Sequence, residues 1–575
     1  MAGAAPGQER RAIMTLPAKR WTLPPPPASH SLPRDLPPAA VQVLLRRGID
    51  TAEKLRLFLQ PAQRLPYDPM RLRGMEQALQ RLYRAVQHGE KVGVFGDFDV
   101  DGLTGTAIVA QGLEALGVPV VPYLPHRLEE GHGLSGDALR RLAAQGVRLI
   151  ITVDCGVTSL EEVAQARGLG MDVIITDHHT PLEQLPQAVA ILNPRLTGSR
   201  YPFPSLSGAG LAFKLVQGLY QLHGQPWPPG ILGLAALGTI ADLVPLMDEN
   251  RFIVQQGLAE LARTRRPGLL ALYRRASINP QALTAESLAF QVVPRLNSAG
   301  RMSHALDSYK LLTTNSDAEG EALADKLEEM NRDRRRITEA AWAAAQEQVY
   351  QRPSLPPVLL VEDASITPGI AGLVAGRLAE TFYRPAVALA ARDCDLLVAS
   401  GRSIPEFNMV QAFAACQDLF VRFGGHAQAA GFTLHRSKLP LLEERLTEIA
   451  QRELAATDLR PALAVDAEVG LGDLHGSLTQ WLASLEPFGQ SNPQPMFLTR
   501  GLRVLESRYM GNAGQHLFLR VRDGSHEWNA LAFNQASGWA AAPSRIDLVY
   551  GITPDSRRGN GSLALKVADW QPSGG

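Results

Sequence analysis

A chain of 575 residues with 45% hydrophobic and 20% charged side chains has the composition of a soluble globular protein, with material for several cores at ~100–200 residues per domain. Its 57 basic and 57 acidic residues cancel, so no overall charge advertises a polyanionic partner and any such surface has to be local. Three cysteines, Cys155, Cys394 and Cys416, lie far apart without C-x-x-C spacing, which argues against a zinc knuckle or a disulfide framework and for a reducing compartment.

In chain order, the first residues are basic but lack the apolar core of ~7–15 residues that a signal peptide needs, and a cytoplasmic location is expected. Residues 22–38, "TLPPPPASHSLPRDLPP", read as an extended, weakly ordered lead-in, with a compact fold beginning near residue 40. From residue 91 the apolar runs "KVGVFG", "VPVVPYL", "VRLIITVD", "MDVIITD" and "AVAILN" alternate with mostly helix-length stretches, the rhythm of a parallel sheet covered by helices. Ser159, with Glu162 three residues on, predicts a capping box for the next helix. The run "ILGLAALGTIADLVPL" is broken by Asp242 and falls short of the ~18–20 apolar residues of a membrane span.

Residues 318–350 contain no proline and are rich in helix formers, which predicts a long connecting helix, and "QRPSLPP" marks the boundary after it. A second α/β domain follows. Its strands are expected at "PVLLVED", "PAVALAA" and "DLLVASG", and its helices after Thr367-Pro368, in "MVQAFAACQDLF" and in "LPLLEERLTEIAQREL". From about residue 461 five strand-like segments, with turns at Asp523-Gly524 and Gly559-Asn560, suggest a small barrel of the OB type. There Arg503, Arg508, Arg520 and Arg522 lie near Tyr509, Phe518 and Trp528, offering cations and stacking platforms for a single strand; the plain alternative is that these aromatics are barrel core. No G-x-x-x-x-G-K-[ST] loop is present, so a nucleotide-driven motor has no support.

The chemistry concentrates at strand ends, where open α/β sheets bind ligands. "VFGDFDVDGLTGT" places Asp97, Asp99 and Asp101 before Gly102. The pattern opens like an EF-hand calcium loop, but a strand precedes it and the twelfth position is Ile108 instead of a bidentate Glu. The alternative is a strand over 91–96, a turn through Gly102 and a helix from about 104 to 116. Three acids crowded at a strand end repel one another unless cations neutralise them. Two further strands end in Asp154 and in Asp177, His178 and His179, and Asp242 lies inside an apolar run where an unpaired carboxylate is costly. Carboxylates with imidazole and no thiolate suit Mn²⁺ or Mg²⁺ better than structural zinc, with catalytic zinc the remaining option. Two such ions about 3.5–4 Å apart activate water and stabilise a departing oxygen in phosphoester hydrolysis.

"GDFDVDG", "VDCG", "TDHH" and "GTIADLVPL" resemble the four ordered motifs of the DHH phosphoesterase superfamily. "YLPHR", "PRLNSAGRM", "SGRS" and "GGHAQAAG" narrow the resemblance to the bacterial RecJ family of single-strand-specific 5′ exonucleases, from about residue 40 to near the C-terminus. The fold it implies is α/β: a DHH-type parallel-sheet domain, a second α/β domain of DHHA1 type joined by a long helix, and a C-terminal OB-fold-like β-barrel. Boundaries are set at 1–40 (lead-in), 41–317 (DHH catalytic domain), 318–352 (connecting helix), 353–458 (DHHA1-type) and 459–575 (OB-fold-like).

By that resemblance Asp99, Asp101, Asp154, His178 and Asp242 match ligands of two divalent cations, Mn²⁺ or Mg²⁺, and Asp97 and Asp177 are either ligands or supports behind them. His179 contacts the scissile phosphate or assists proton transfer, and Asp177 and Asp101 are counted with it as catalytic. Arg127, Arg301, Ser400 and Arg402, with Arg295 as a further candidate, match positions that grip the DNA 5′ end or nearby phosphates; the plain alternative for each Arg is a surface ion pair. Gly424, Gly425, His426 and Gln428 match DNA-backbone contacts: paired glycines let amides approach a phosphate, against the alternative of a tight turn with a capped helix. "SITPGIAG" departs from the family in carrying Thr367-Pro368 where a histidine is expected.

The implied activity is 5′ to 3′ degradation of single-stranded DNA to 5′-mononucleotides, in repair and recombination, by a monomer working with single-strand-binding protein and a RecQ-type helicase. The rival readings are another DHH hydrolase, acting on oligonucleotides, cyclic dinucleotides or polyphosphate, and a non-catalytic single-strand-binding protein.

Overall fold

The computed structural model describes residues 19–574 apart from 24, 26–28, 64, 65, 128, 132, 393, 475, 512, 537, 538, 540–542 and 555–561. The expected turn at Gly559-Asn560 and most of the leading segment lie outside the described residues. The catalytic half is built on five parallel strands, β1 (Val92–Gly96), β2 (Val120–Tyr123), β3 (Leu149–Val153), β4 (Asp172–Thr176) and β5 (Ala190–Leu192), in the order β2-β1-β3-β4-β5. β1 and β3 are buried at every residue, which is why they read as continuous apolar runs with no alternation. The chain leaves β1 for β2 and returns to β3 on the other side, so the crevice of this sheet opens at the carboxyl ends of β1 and β3. Helices α1 (Val100–Glu114), α2 (Gly208–Leu222) and α3 (Ile231–Ala241) pack together, apolar on nearly every side, as one buried layer.

Two local expectations are corrected. Helix α1 begins at Val100 and not near residue 104, because the Asp99 carboxylate accepts from Asp101 N (2.9 Å) and Gly102 N (3.2 Å) and so caps it directly. Gly102 lies in the first turn of that helix; a Cβ there would stand 2.5 Å from the Asp97 backbone, so glycine is needed for close approach and not for a turn. Ser159 precedes helix Leu160–Gly168 but makes no capping hydrogen bond: at φ −87°, ψ 66° it is outside the extended geometry that aims an N-cap hydroxyl into the helix.

Helix α4 (Asp317–Tyr350), 34 residues long, spans about 50 Å at 1.5 Å per residue. Ala324 and Leu327 sit in the core of the first domain, whereas Ala341, Ala345 and Val349 sit in that of the second. One rigid rod thereby joins two cores. The second domain is a mixed sheet of β6 (Leu359–Glu362), β7 (Ala386–Ala391), β8 (Leu396–Arg402), β9 (Phe420–His426) and β10 (Ala429–His435), in the order β9-β10-β8-β7-β6. "FGGHAQAAGF" therefore leads into no capped helix but forms an antiparallel hairpin, with β9 as the exposed edge strand. The paired glycines masked its strand character.

The C-terminal strands β11 (Phe497–Met510), β12 (His516–Asp523), β13 (His526–Ala532), β14 (Arg545–Pro554) and β15 (Leu563–Pro572) form a barrel closed by pairing of β11 with β14 and of β13 with β15. Its core takes in Ala40, Val43, Leu44 and Phe58 from helices Pro38–Arg46 and Ala52–Leu59. Arg20–Thr22 pairs in parallel with Ala462–Ala464. The expected boundary at residue 41 is thus displaced: the described part of the lead-in and the helices after it pack on the barrel and not on the catalytic sheet, because their apolar faces are covered there. Of the three barrel aromatics singled out, Phe518 is buried with Arg508 over its ring at 4.3 Å and Trp528 packs against the core, whereas Tyr509 is 57% exposed. Among the described residues no helix is long and apolar enough to cross a membrane.

Candidate metal centre and nucleic-acid cleft

The three strand ends converge. Asp97, Asp99 and Asp101 follow β1, Asp154 follows β3 at φ 62°, Asp177, His178 and His179 follow β4, and Asp242 is the C-cap of α3. A left-handed backbone is strained for a non-glycine residue, and at Asp154 it bends the chain straight after the strand. Ligand atoms lie within 4.8 Å of one another in three overlapping groups: Asp97, Asp99 and Asp154; Asp101, His178 and Asp242; and Asp154, His178 and His179. Asp154 and His178 each belong to two groups, so the arrangement offers adjoining positions for a pair of ions.

The polar atoms themselves show that a cation fits. Asp154 Oδ1, both ring nitrogens of His178 and Asp242 Oδ2 are buried without a hydrogen bond, although His178 Nε2 lies 3.0 Å from Asp154 Oδ1 and 3.6 Å from Asp242 Oδ2. Each such orphan costs ~1–3 kcal/mol unless something satisfies it. Burial, reinforced by Asp101 and Asp99, pushes the Asp242 carboxyl up to about 9. Burial and then Asp99 push Asp101 up to about 7, and Asp154 rises well above the carboxylate range for the same reasons. His178 is pressed down to about 3 by burial and by His179, leaving a neutral imidazole with lone pairs to give. Buried acids that hold their protons only for want of a counter-charge, beside a neutral histidine, form a donor set for hard divalent cations.

Asp177 stands apart from this set. Burial raises its pKa, but the bonds from His179 Nδ1 (2.7 Å), Val157 N (2.9 Å) and His179 N (3.0 Å) carry it net below the usual value. An ionised Asp177 thus fixes the orientation of His179 from behind. Sequence reasoning missed what fixes Asp101: Gly208 N donates to its Oδ2 (2.6 Å) and Ala209 N to its Oδ1 (2.9 Å) at the start of α2, and a Cβ on Gly238 would come 2.6 Å from Oδ1. The signal was "SLSGAGLAF", a serine N-cap with small residues ahead of an apolar helix. Asn297 was also missed; its Oδ1 accepts from Val100 N (3.2 Å) and ties the "PRLNSAGRM" helix to the acidic loop.

Beside the acids, Arg127, Arg301 and Arg402 gather from three parts of the chain. Arg301 is pressed down to about 9 by burial and then by Arg127, Arg334 and Arg402, while Asp99 attracts it; Asp97 and Asp99 also act on Arg127. Arg301 donates to Gly369 O (3.2 Å) across the domain boundary, and Arg402 donates to Ser400 Oγ (3.1 Å) and Gly401 O (2.8 Å). Arg127 lies over the Phe98 ring at 4.7 Å. Among the described residues none of the three is in an ion pair, so the surface-pair alternative does not describe them. It holds for Arg295, which is buried and paired with Glu328 of α4 at 2.6 Å; its place is that of a strut and not of a phosphate contact.

From the second domain, the His426 ring faces His179 at 6.0 Å and 4°, bringing the tip of β9 over the metal centre. Gly424 leaves open space where a Cβ would be, so a phosphate can approach the backbone there. Gln428 points elsewhere, its Nε2 donating to Ile404 O at 3.2 Å.

Comparison with known proteins places these features. Residues 91–239 match the DHH family N-terminal domain, 356–452 the DHHA1 domain and 465–569 the RecJ OB domain. The chain is 37% identical over 521 residues to the single-stranded-DNA-specific exonuclease RecJ of Bacillus subtilis, covering 90% of this chain and 64% of that protein. It is 35% identical over 564 residues to that of Salmonella typhimurium, covering 94% and 97%. The crystal structure of RecJ in complex with Mn²⁺ from Thermus thermophilus superposes with a TM-score of 0.81 at 30% identity, over 97% of this chain and 80% of that one. A second structure of that protein, in complex with Mg²⁺, gives 0.76 at 29% identity.

Proposed function

The chain belongs to the RecJ family of exonucleases, and on that premise we propose that it degrades single-stranded DNA from the 5′ end by metal-dependent phosphodiester hydrolysis, releasing 5′-mononucleotides. The observation that carries this reading is the pocket of unpaired arginines directly beside the acidic centre. A terminal phosphate held by Arg127, Arg301 and Arg402 with Ser400 sets the strand's polarity, because it fixes which phosphodiester reaches the acids. Asp97, Asp99, Asp101, Asp154, His178 and Asp242 hold the Mn²⁺ or Mg²⁺ pair, which when bound supplies Lewis acidity and a water of lowered pKa. His179, aligned by Asp177, contacts the scissile phosphate or moves a proton to the departing oxygen. His426 and the Gly424-Gly425 backbone hold the phosphates that follow.

The His426 ring facing His179 at 6.0 Å brings the second domain against the centre, and a cleft narrowed in this way admits a single strand more readily than a duplex. Recognition falls to phosphates and base stacking, with little call on base identity. A role in DNA repair and recombination, in the cytoplasm, as a monomer fed by single-strand-binding protein and a RecQ-type helicase, completes the proposal on the family resemblance. A small-substrate DHH hydrolase is not favoured, since it has no use for a barrel and an edge strand that extend the cleft.

The test is a time course on single strands labelled at either end, with duplex and RNA alongside, in Mn²⁺, Mg²⁺ or chelator. Labelled mononucleotide is expected at once from the 5′ label and late from the 3′ label, with none in chelator. Early release of the 3′ label would defeat the polarity.

A further inference from the structure

Helix Asp248–Leu261 carries an arginine that the hydrolytic site does not use. Arg251 has no exposed surface and is in no ion pair among the described residues, and burial presses its pKa down to about 9, with Arg47 adding repulsion. Its charge is met by carbonyls from two distant parts of the chain. Nε donates to Phe58 O (2.7 Å), Nη2 to Glu486 O (2.7 Å), and Nη1 to Leu485 O (3.0 Å) and Pro487 O (3.4 Å), with the guanidinium 3.8 Å from the Phe58 ring centroid. Asn492 closes the loop from the other side: its Nδ2 donates to Leu485 O (2.9 Å) and Pro487 O (2.8 Å), and its Oδ1 accepts from Arg47 Nε (2.7 Å). Three parts of the molecule meet there: the catalytic domain, the N-terminal helices and the loop that leads into β11 of the barrel. Leu246, a few residues past Asp242, anchors the same loop again through its N–H to Gln490 O at 2.8 Å.

Apolar packing of Phe58 and Leu485 covers only part of this seam. Next to the hydrogen bonds lies an open pocket of about 520 Å³, lined by Leu258, Phe488 and Phe497 but also by Gln255, Glu486 and Gln494, and bordered by the Glu286–Lys566 pair at 3.5 Å. An open, partly polar pocket fixes the seat of the barrel loosely, whereas a planar fork held on four carbonyls has one geometry. A buried cation with no counter-ion is also less favourable than an apolar filler, so what arginine adds at this place is direction.

We propose that Arg251 is a positioning residue, which sets the barrel against the catalytic domain so that a strand bound on the barrel runs on into the cleft. The proposal rests on the exonuclease reading and adds a residue that touches neither metal nor substrate. It is tested in the full chain with Arg251→Met and, independently, with Gly489→Ala, whose Cβ would come 2.6 Å from Leu246 Cδ1 and so press on the same seam. Hydrolysis is compared on a strand of about 4 nucleotides, no longer than the smallest site of one such barrel, and one of about 60, which can occupy cleft and barrel together. For the long strand KM is expected to rise about tenfold at unchanged kcat, while kcat/KM for the short strand stays within about twofold of the unaltered protein.

Equal losses on both lengths, or an unchanged KM for the long strand, would overturn the proposal. If the thermal melt shows that Arg251→Met does not fold, Gly489→Ala decides by the same readout. Failure of the unaltered protein to digest either strand would instead overturn the exonuclease reading, and this proposal with it.

Discussion

Asp101 accepts two backbone N–H groups at the start of α2, lies within ligand distance of His178 and Asp242, and is buried beside the charge of Asp99. Replacing even an outer support of a metal site costs 10–100-fold, so Asp101→Ala is expected to lower turnover by more than about 100-fold. Strand binding, carried by the arginine pocket and β9, should be largely kept. Appreciable metal-dependent turnover in the purified variant would remove Asp101 from the centre. Gly238→Ala leaves the carboxylate in place and displaces it, since its Cβ would press on Ala209 Cβ and Thr104 Oγ1 at 2.5 Å and on Asp101 Oδ1 at 2.6 Å. Its apparent Mn²⁺ affinity should fall about 10-fold or more, with turnover largely restored at saturating Mn²⁺.

Acidity at the centre gives a prediction of defined sign. In the metal-free protein Asp101 and Asp242 are raised to about 7 and about 9, above the ~4 they have in the unfolded chain. Their protonated forms contribute stability that is whole below about pH 4 and is lost as pH rises through the folded-state values. The melting temperature of chelator-treated protein should therefore decline from pH 5 to 9, and saturating Mn²⁺ should flatten that decline. A melting temperature of the metal-free protein that rises over this range would contradict the burial of unpaired acids here.

At the scale of elements, the second domain contributes Ser400 and Arg402 on β8 and the edge strand β9. Arg402→Ala is expected to weaken binding of a 5′-phosphorylated strand by about 10-fold relative to a 5′-hydroxyl strand, the measure of one lost charge-assisted contact. Equal loss on both would place Arg402 elsewhere on the backbone path. The elements of the first sheet were legible because buried parallel strands are unbroken apolar runs, and acids directly after them have few structural uses. The start of α1 was not, because an aspartate after a strand serves equally as ligand and as N-cap, and Asp99 does cap. The β9–β10 hairpin was hidden by glycines that weaken the strand signal. The partners of Asp101 could not be read at all, since α2 lies far from it in the chain. Arg295 and Arg301 share one motif, yet a single helix sends one to Glu328 and the other to the pocket.

Across the whole molecule, α4 links two α/β cores as one rod, and the N-terminal helices bind the barrel to the catalytic domain through Arg47, Phe58 and Arg251. Such long-range ties between the ends of the chain leave no periodicity or motif in the sequence, which is why the segment that begins at residue 41 read as part of the catalytic domain. The assembly they hold has one centre, and everything proposed for the molecule depends on that centre holding two divalent cations among the acids at the ends of β1, β3 and β4 and at the end of α3. The most direct measurement is anomalous scattering from crystals of the protein soaked in Mn²⁺. Two adjacent peaks are predicted, bounded by Asp97, Asp99, Asp101, Asp154, His178 and Asp242; no peak there, or manganese bound only away from these side chains, would contradict the account.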